Sequence, residues 1–185
     1  MSKNLRLFLI VATLCFITSC DKYDWTEEEG ETTQEETQVI VPSSLGYGTQ
    51  IAPYTVGQVL NGDLKSSQAW FIGYVVGSTY STMHNCVFEA ETSYNSNILI
   101  SDDPNCTSED ECIPVELKGA KQQKKYSLQD NSTTFHQCIM VRGRCNKYFR
   151  VNGIRDLQAA YYLPGFDIST IKPTPTEWEE WVDTY

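Results

Sequence analysis

The sequence predicts a mainly β domain built as a small closed barrel of about five strands. Residues 69–78 (AWFIGYVVGS) are apolar on both faces of an extended chain, with Trp70 and Ile72 on one face and Phe71 and Val75 on the other. A strand of this kind needs cover on both sides, as the first strand of a small barrel has. Gly, Asn, Ser and Thr recur between the other short apolar runs, which is typical of β-rich domains.

The first predicted element is a short helix over residues 52–60, which Thr55 can cap and Gly62 can end. The two-sided strand at residues 69–78 follows. Gly73 lies in the middle of that strand, where the lack of a Cβ lets the chain coil sharply.

Short apolar runs then predict an extended segment at residues 86–88 and strands at residues 97–101 and 112–117. Pro114 lacks a backbone donor and therefore indicates that the last of these lies at an edge or a bulge. Residues 119–132 combine helix formers with turn residues, and they predict a helical connector.

The longest strand candidate covers residues 138–149. Its alternation predicts an inward face of Ile139, Val141, Gly143 and Cys145 and an outward, solvent-exposed face of Met140, Arg142, Arg144 and Asn146. The Asn-Gly dipeptide at residues 152–153 predicts a hairpin turn, after which the chain returns as a strand over residues 154–163. The complete order is that of a five-stranded OB-like barrel with a short N-terminal helix and a helical connector between strands 3 and 4.

Several motifs in this order resemble a family of uncharacterised OB-fold domains in secreted proteins and lipoproteins of the Bacteroides group. They are PYTVGQVLNG, QAWFIGYVVGS, NILISDDP, CIPVEL, SLQDN and KYFRVNGIRDL, and they lie within residues 53–163. The resemblance implies the barrel fold for residues 51–163 but no function, because none is established for the family. Many relatives have a glycine where Arg150 stands here, so we expect the turn after Phe149 to differ.

Residues 1–19 are predicted to be a lipoprotein signal peptide. Lys3 and Arg6 precede an apolar run over residues 7–17, which is too short to span a bilayer as a helix. The small residues before Cys20 resemble the lipobox of bacterial lipoproteins, which implies cleavage before Cys20 and lipidation of its sulfur. The alternative is an ordinary secretory signal with a chance cysteine.

Residues 20–50 are predicted to be a flexible acidic tether. Residues 21–38 carry eight acidic side chains and one lysine, and such a run repels itself and stays solvated. An acidic cluster after a lipidated cysteine also resembles the signal that exports some lipoproteins of the Bacteroides group. We therefore expect a lipid anchor in the outer membrane with the domain at the cell surface, the alternative being a domain that faces the periplasm.

One predicted surface is a candidate for an anionic ligand. The net charge of −10 argues against a general polyanion binder, but nine of the fourteen basic residues lie within residues 118–155. The candidate surface comprises Arg142, Arg144, Lys147, Tyr148, Phe149 and Arg150. OB domains bind single strands through a basic groove with stacking aromatics. The alternative is that these cations balance the acidic residues of the protein itself.

The sequence contains no recognisable catalytic, metal-binding or cofactor-binding motif. Neither His84 nor His136 lies in a metal-spaced pattern, and the acidic loop at residues 102–111 lacks the spacing of a calcium loop. We therefore expect no cofactor and no metal, and we predict a non-catalytic binding or assembly module with a protein or glycan partner at the cell surface. The alternatives are a nucleic-acid or acidic-polysaccharide binder, and an accessory subunit of a surface enzyme or uptake complex.

Five cysteines follow Cys20, and an exported chain meets an oxidising compartment, so disulfides are expected. Cys138 and Cys145 should not pair, because on one strand they lie about 23 Å apart and on opposite faces. The preferred pair is Cys106 with Cys112, which closes a short acidic loop.

Residues 164–185 are predicted to form a proline-containing tail that ends in a short amphipathic helix, with Thr176 and Glu179 as a capping box. The apolar face of this helix comprises Trp178, Trp181, Val182 and Tyr185. This face is expected to dock on the barrel, and the alternative is that it binds a partner.

Overall fold

The structure of the chain is a computed structural model, and it describes residues 40–62, 64 and 68–171. The predicted signal peptide, Cys20, most of the acidic tether and the helix of the tail lie outside the described residues. Among the residues that are described, no helix has the length and apolar character needed to cross a membrane.

The described chain is mainly β, and its strands form one six-stranded sheet. The elements are α1 (Val56–Asn61), β1 (Gln68–Thr79), β2 (Cys86–Val87), β3 (Asn97–Ser101), β4 (Cys112–Glu116), α2 (Gly119–Tyr126), β5 (Cys138–Tyr148) and β6 (Val151–Leu163). The mainly β class and the short helix before β1 are therefore confirmed, with bounds that shift by a few residues. The sheet has six strands where five were predicted, because the short segment β2 also pairs with β1.

The strands pair in the order β2-β1-β3-β4-β6-β5, and β5 also pairs with β1. Every pairing is antiparallel except that of β4 with β6, which run parallel where Val115 meets Ile154. β1 has partners on both edges, since Tyr74 lies opposite Ser101 of β3 and also opposite Cys138 of β5.

β1 is buried on both faces, as its sequence predicts. Phe71 and Val75 belong to an inner core, which β3 to β6 and α1 also line. Ile72 and Val76 belong to a second cluster, which we call the outer core. Every residue of β1 from Phe71 onward is buried. The prediction that this strand has cover on both sides is confirmed.

The first half of β5 is buried on both faces as well. Val141 and Cys145 face the inner core, while Cys138 and Met140 face the outer core. Met140 lies on the outward face, as the alternation predicts, but its expected exposure is wrong because the outer core covers it. Cys138 and Cys145 do lie on opposite faces, as predicted. Exposed positions on the outer face of β5 begin at Arg142.

The outer core is covered by segments that the sequence analysis assigned to the tether and the tail. Leu45 packs there from the segment before α1, and Ile168 and Ile171 pack there from the segment after β6. Residues on both sides of the predicted bounds at 51 and 163 therefore contribute to the outer core. The apolar outer faces of β1 and β5 would otherwise be left in water.

α1 is fixed by hydrogen bonds at its first turn. The hydroxyl of Thr55 accepts from the Gln58 N–H at 3.3 Å, and the Gln58 amide oxygen accepts from the Thr55 N–H at 3.0 Å. The Asp102 carboxylate, just after β3, accepts from the N–H groups of Val56 and Gly57 at 2.8 and 2.7 Å. These bonds satisfy donors that a helix start leaves unpaired, so they hold α1 against the end of β3.

The β5–β6 hairpin turns at Phe149 and Arg150, and the predicted turn at residues 152–153 is wrong. Phe149 and Arg150 have φ angles of 52° and 70°, as the central residues of a type I′ turn require. Residues 152–153 instead belong to β6 and pair with Lys147 and Asn146 of β5. Gly153 is needed there for a different reason, because a Cβ at this position would lie 2.7 Å from the Pro114 carbonyl oxygen.

Replacing Arg150 by glycine is expected to stabilise the domain by about 0.5–1 kcal/mol. Arg150 is exposed and has a φ of 70°, a left-handed conformation that strains a residue with a Cβ and does not strain glycine. Urea unfolding followed by circular dichroism measures the change. Arg150→Ala keeps the Cβ and is the control; equal stability of the two variants would contradict the assignment of strain to this turn.

Candidate functional site

The structure divides the predicted anionic-ligand surface into two parts. Arg142 and Arg144 are exposed on the outer face of β5, where the strand pairs with β1. Lys147 and Arg150 are exposed near the tip of the hairpin, beyond the end of the β1–β5 pairing at Arg144. The four cations therefore do not form one surface.

The two predicted aromatic residues pack against other parts of the protein and are only partly exposed. The rings of Tyr148 and Phe149 stack on each other at 4.1 Å, and Phe149 packs against the outer core. The Arg155 guanidinium lies 5.5 Å from the Tyr148 ring centre and donates two hydrogen bonds to Glu116 at 3.0 and 3.2 Å. Burial raises the pKa of Tyr148, and the hydrogen bonds to Glu116 raise the pKa of Arg155.

An aromatic pair from other strands stands beside the arginines instead. Trp70 of β1 lies directly opposite Arg142 and is partly exposed. Its ring is 5.4 Å from that of Tyr161 in β6, and the Tyr161 hydroxyl accepts a hydrogen bond from Gln50. Burial raises the pKa of Tyr161. The alternation within β1 predicts the face on which Trp70 lies, but no sequence signal marks Trp70 as a neighbour of the arginines.

Basic residues continue across β6 to α2. Ala159 of β6 lies opposite Arg142, and a cleft of about 290 Å³ between β6 and α2 is lined by Ala159, Lys121 and Lys125. We call Trp70, Lys121, Lys125, Arg142 and Arg144 the basic band.

The cations of the basic band lack carboxylate partners within the described part of the chain. The ion pairs found there are His84–Glu109, Lys118–Asp156 and Arg155–Glu116. Acidic residues of the protein itself therefore balance the charges of Lys118 and Arg155, but they do not balance the cations of the basic band. Exposed guanidinium and ammonium groups of this kind are donors suited to phosphate, sulfate or carboxylate oxygens.

A second cleft, of about 460 Å³, lies where the loop after β1, the loop before β4 and the β5–β6 hairpin meet. Its lining residues are Ser81, Thr82, Met83, His84, Glu109, Asp110, Phe149, Arg150 and Val151. We call it the mixed-charge cleft. His84 and Glu109 are hydrogen-bonded across it at 2.8 Å. Its two carboxylates make it less suited to a polyanion than the basic band is.

The acidic loop after β3 uses several of its carboxylates for local structure. Asp102 accepts hydrogen bonds from the first turn of α1, Asp103 accepts from the Asn105 N–H at 2.8 Å, and Glu109 contacts His84. Within residues 40–62, 64 and 68–171, no three potential ligand side chains are grouped as a metal site.

The predicted disulfide pair is not joined in the structure, where no disulfide links two of the described cysteines. Cys106 and Cys112 are both buried in the outer core. The Cys106 thiol donates to the Ser108 carbonyl at 3.4 Å, and the Cys112 thiol donates to the Glu109 carbonyl at 3.8 Å.

Part of the chain is similar to known proteins. Endonuclease YhcR of Bacillus subtilis (strain 168) is 30% identical over 95 residues, which are 51% of this chain and 8% of that protein. The chain therefore spans less than a tenth of this relative. No solved structure matches the chain significantly. Residues 54–163, which include α1 and strands β1 to β6, match a family described as a domain of unknown function. The chain thus belongs to the family of domains of unknown function DUF6359.

Proposed function

We propose that the chain is a non-catalytic binding module and that its basic band binds a polyanion, either a single-stranded nucleic acid or an acidic polysaccharide. One observation carries the proposal: Arg142 and Arg144 are exposed side by side on β5, with Trp70 opposite Arg142 and no ion pair to another described residue. Cations next to an accessible aromatic ring are the combination that single-strand binders use.

The proposed fold supports this choice of surface. We infer that the sheet closes as an OB-like barrel, because β5 pairs with β1, β4 runs parallel to β6, and α2 connects β4 with β5. Barrels of this type bind oligonucleotides and oligosaccharides on an outer strand face, that of strands 2 and 3, and on the loops beside it. The arginine pair and Trp70 lie on the outer face of the adjoining strands β5 and β1.

The likeness to an endonuclease favours a nucleic acid among the two ligands. The matched region is a small part of that large protein, so the likeness suggests a shared accessory domain and not the nuclease activity itself. The lipobox at Cys20 and the acidic residues after it would hold such a module on the outer membrane, where extracellular polyanions are accessible. The tether's negative charge would also keep it away from the same ligands.

The test is binding of the full chain to a fluorescent single-stranded oligonucleotide and to heparin over a series of salt concentrations. Binding is expected at about 20 mM salt, and it should weaken steeply as salt rises because bound cations displace counterions. Arg142→Glu combined with Arg144→Glu is expected to weaken binding by roughly tenfold or more and to reduce the salt slope by about two.

The matched control is Lys147→Glu combined with Arg150→Glu, which changes the net charge by the same amount at the hairpin tip. This variant is expected to bind almost as well as the unmodified chain. Equal losses in both double variants would show that only net charge matters, and absence of binding at low salt would exclude a polyanion ligand.

A further inference from the structure

The mixed-charge cleft has the features of a small-molecule site that is separate from the basic band. Its volume of about 460 Å³ lies within the range of about 300–1,000 Å³ that such sites occupy. Three segments that are distant in the sequence form its walls, namely the loop after β1, the loop before β4 and the β5–β6 hairpin. The cleft and the basic band share no residue.

Backbone strain is concentrated around this cleft. Ser81, Phe149 and Arg150 line it and have φ angles of 66°, 52° and 70°. They are three of the five non-glycine residues with positive φ in the part of the chain that the structure describes. A left-handed conformation strains a residue that has a Cβ, and such strain is found preferentially at functional sites. The two strained walls therefore indicate that the shape of the cleft is used.

Hydrogen bonds hold the two loop walls in place. The His84 ring and the Glu109 carboxylate join the loop after β1 to the loop before β4 at 2.8 Å. The Ser108 hydroxyl accepts from the Asp110 N–H at 3.4 Å, which fixes the short turn that carries Asp110. The walls are therefore formed before a ligand arrives, and this lowers the entropic cost of binding.

Two side chains of opposite charge in the cleft make no ion pair with another described residue or with each other. They are Asp110 and Arg150, and both are exposed. A carboxylate is a suitable acceptor for an ammonium group. A guanidinium binds a carboxylate through two parallel hydrogen bonds. The cleft therefore offers partners for both charges of a zwitterion.

Apolar side chains complete the lining of the cleft. Met83 is buried in the outer core, while Phe149 and Val151 pack against that core and also line the cleft. We propose that the mixed-charge cleft binds a small zwitterion with an apolar side group, of the class of a free apolar amino acid. Asp110 holds the ammonium group of this ligand, Arg150 holds its carboxylate, and the apolar residues contact its side group.

The test is a titration of the isotope-labelled full chain with L-phenylalanine, followed by proton–nitrogen correlation spectra. Saturable shifts are expected for the backbone amides of Met83, Asp110 and Val151, while those of Arg142 and Arg144 in the basic band stay unchanged. N-acetyl-L-phenylalanine lacks the ammonium group, and L-phenylalaninamide lacks the carboxylate. Each is expected to bind roughly tenfold more weakly, because one contact between charged groups is lost.

Two results of this titration would overturn the proposal. One is the absence of saturable shifts in the cleft with L-phenylalanine. The other is equal binding of L-phenylalanine and its two blocked forms, because the charges of the ligand would then have no part in recognition. Neither result depends on the basic band, so the test is independent of polyanion binding.

Asp110→Asn tests the ammonium contact. This variant is expected to bind L-phenylalanine roughly tenfold more weakly and to bind N-acetyl-L-phenylalanine as the unmodified chain does. Glu111→Gln is the matched control, because Glu111 is the exposed neighbour of Asp110 and does not line the cleft. Equal losses of L-phenylalanine binding in the two variants would contradict the role of Asp110.

Arg150→Gly tests the carboxylate contact and the purpose of the strain. The substitution removes the guanidinium and relieves the positive φ, so the variant should be more stable and yet bind L-phenylalanine roughly tenfold more weakly. Its binding of L-phenylalaninamide should not change. Lys147→Gln is the control, since it removes an exposed cation of the same hairpin outside the cleft. Full affinity for L-phenylalanine in Arg150→Gly would overturn the proposal.

Discussion

Replacing Phe71 by alanine is expected to lower the free energy of unfolding by about 3–5 kcal/mol, and replacing its neighbour Ile72 by about 2–5 kcal/mol. Both side chains are fully buried, Phe71 in the inner core and Ile72 in the outer core. The two substitutions therefore probe opposite faces of one strand. Since a domain is usually stable by only about 5–15 kcal/mol, either variant should lose a large share of its stability.

Urea unfolding monitored by circular dichroism measures both changes. Gln68→Ala is the control, because Gln68 is exposed at the start of the same strand and its replacement should change stability by less than about 0.5 kcal/mol. If Ile72→Ala were no more costly than Gln68→Ala, the outer face of β1 would have no effective cover. The outer core would then not contribute to folding.

Replacing Gly77 by alanine is expected to destabilise the domain by about 3 kcal/mol or more. A Cβ at Gly77 would lie 2.2 Å from the carbonyl oxygen of Val87 and 3.1 Å from its carbonyl carbon. These are backbone atoms of β2, so they cannot move aside as the end of a side chain can. Gly77 also follows the point where the β1–β3 register shifts, so β1 itself is constrained there.

Gly165→Ala is the matched control for this prediction. Gly165 has a φ of +71° and no atom within 4 Å of its Cβ position, so alanine there meets backbone strain without a clash. That strain should lower stability by about 1 kcal/mol. Thermal unfolding of the two variants separates the effects, and equal melting temperatures would contradict a close approach of β2 to Gly77.

The positions of the strands were predictable because their signals are local. Short apolar runs bounded by turn residues predict β3 and β4. The apolar pattern on both faces of β1 predicts that other residues cover this strand on both sides. The source of that cover was not predictable. Leu45 and Ile168 are isolated apolar residues in polar segments, and single residues carry no periodicity that would place them in a core.

The hairpin shows a local signal overridden by tertiary packing. Asn-Gly at residues 152–153 favours a turn, but the pairing of β4 with β6 brings Gly153 against the Pro114 backbone and moves the turn to Phe149 and Arg150. Two bulky residues accept positive φ angles as a result. The positive φ of Arg150 is the reason that Arg150→Gly is expected to stabilise the domain.

Half of the candidate site could be predicted from the sequence. The alternation within β5 places Arg142 and Arg144 on one face, and the structure keeps them exposed there. Their aromatic neighbour Trp70 is distant in sequence, and only the β1–β5 register brings it opposite Arg142.

The central claim is that β1 lies inside a sheet that returns to its starting strand, and isotope-edited NOESY spectra of the full chain test it most directly. Backbone protons of Tyr74 are predicted to show cross-strand contacts to both Ser101 and Cys138, together with contacts between Val115 and Ile154. Contacts from Tyr74 to Ser101 alone would describe an open sheet with β5 at a free edge, and that result would contradict the account.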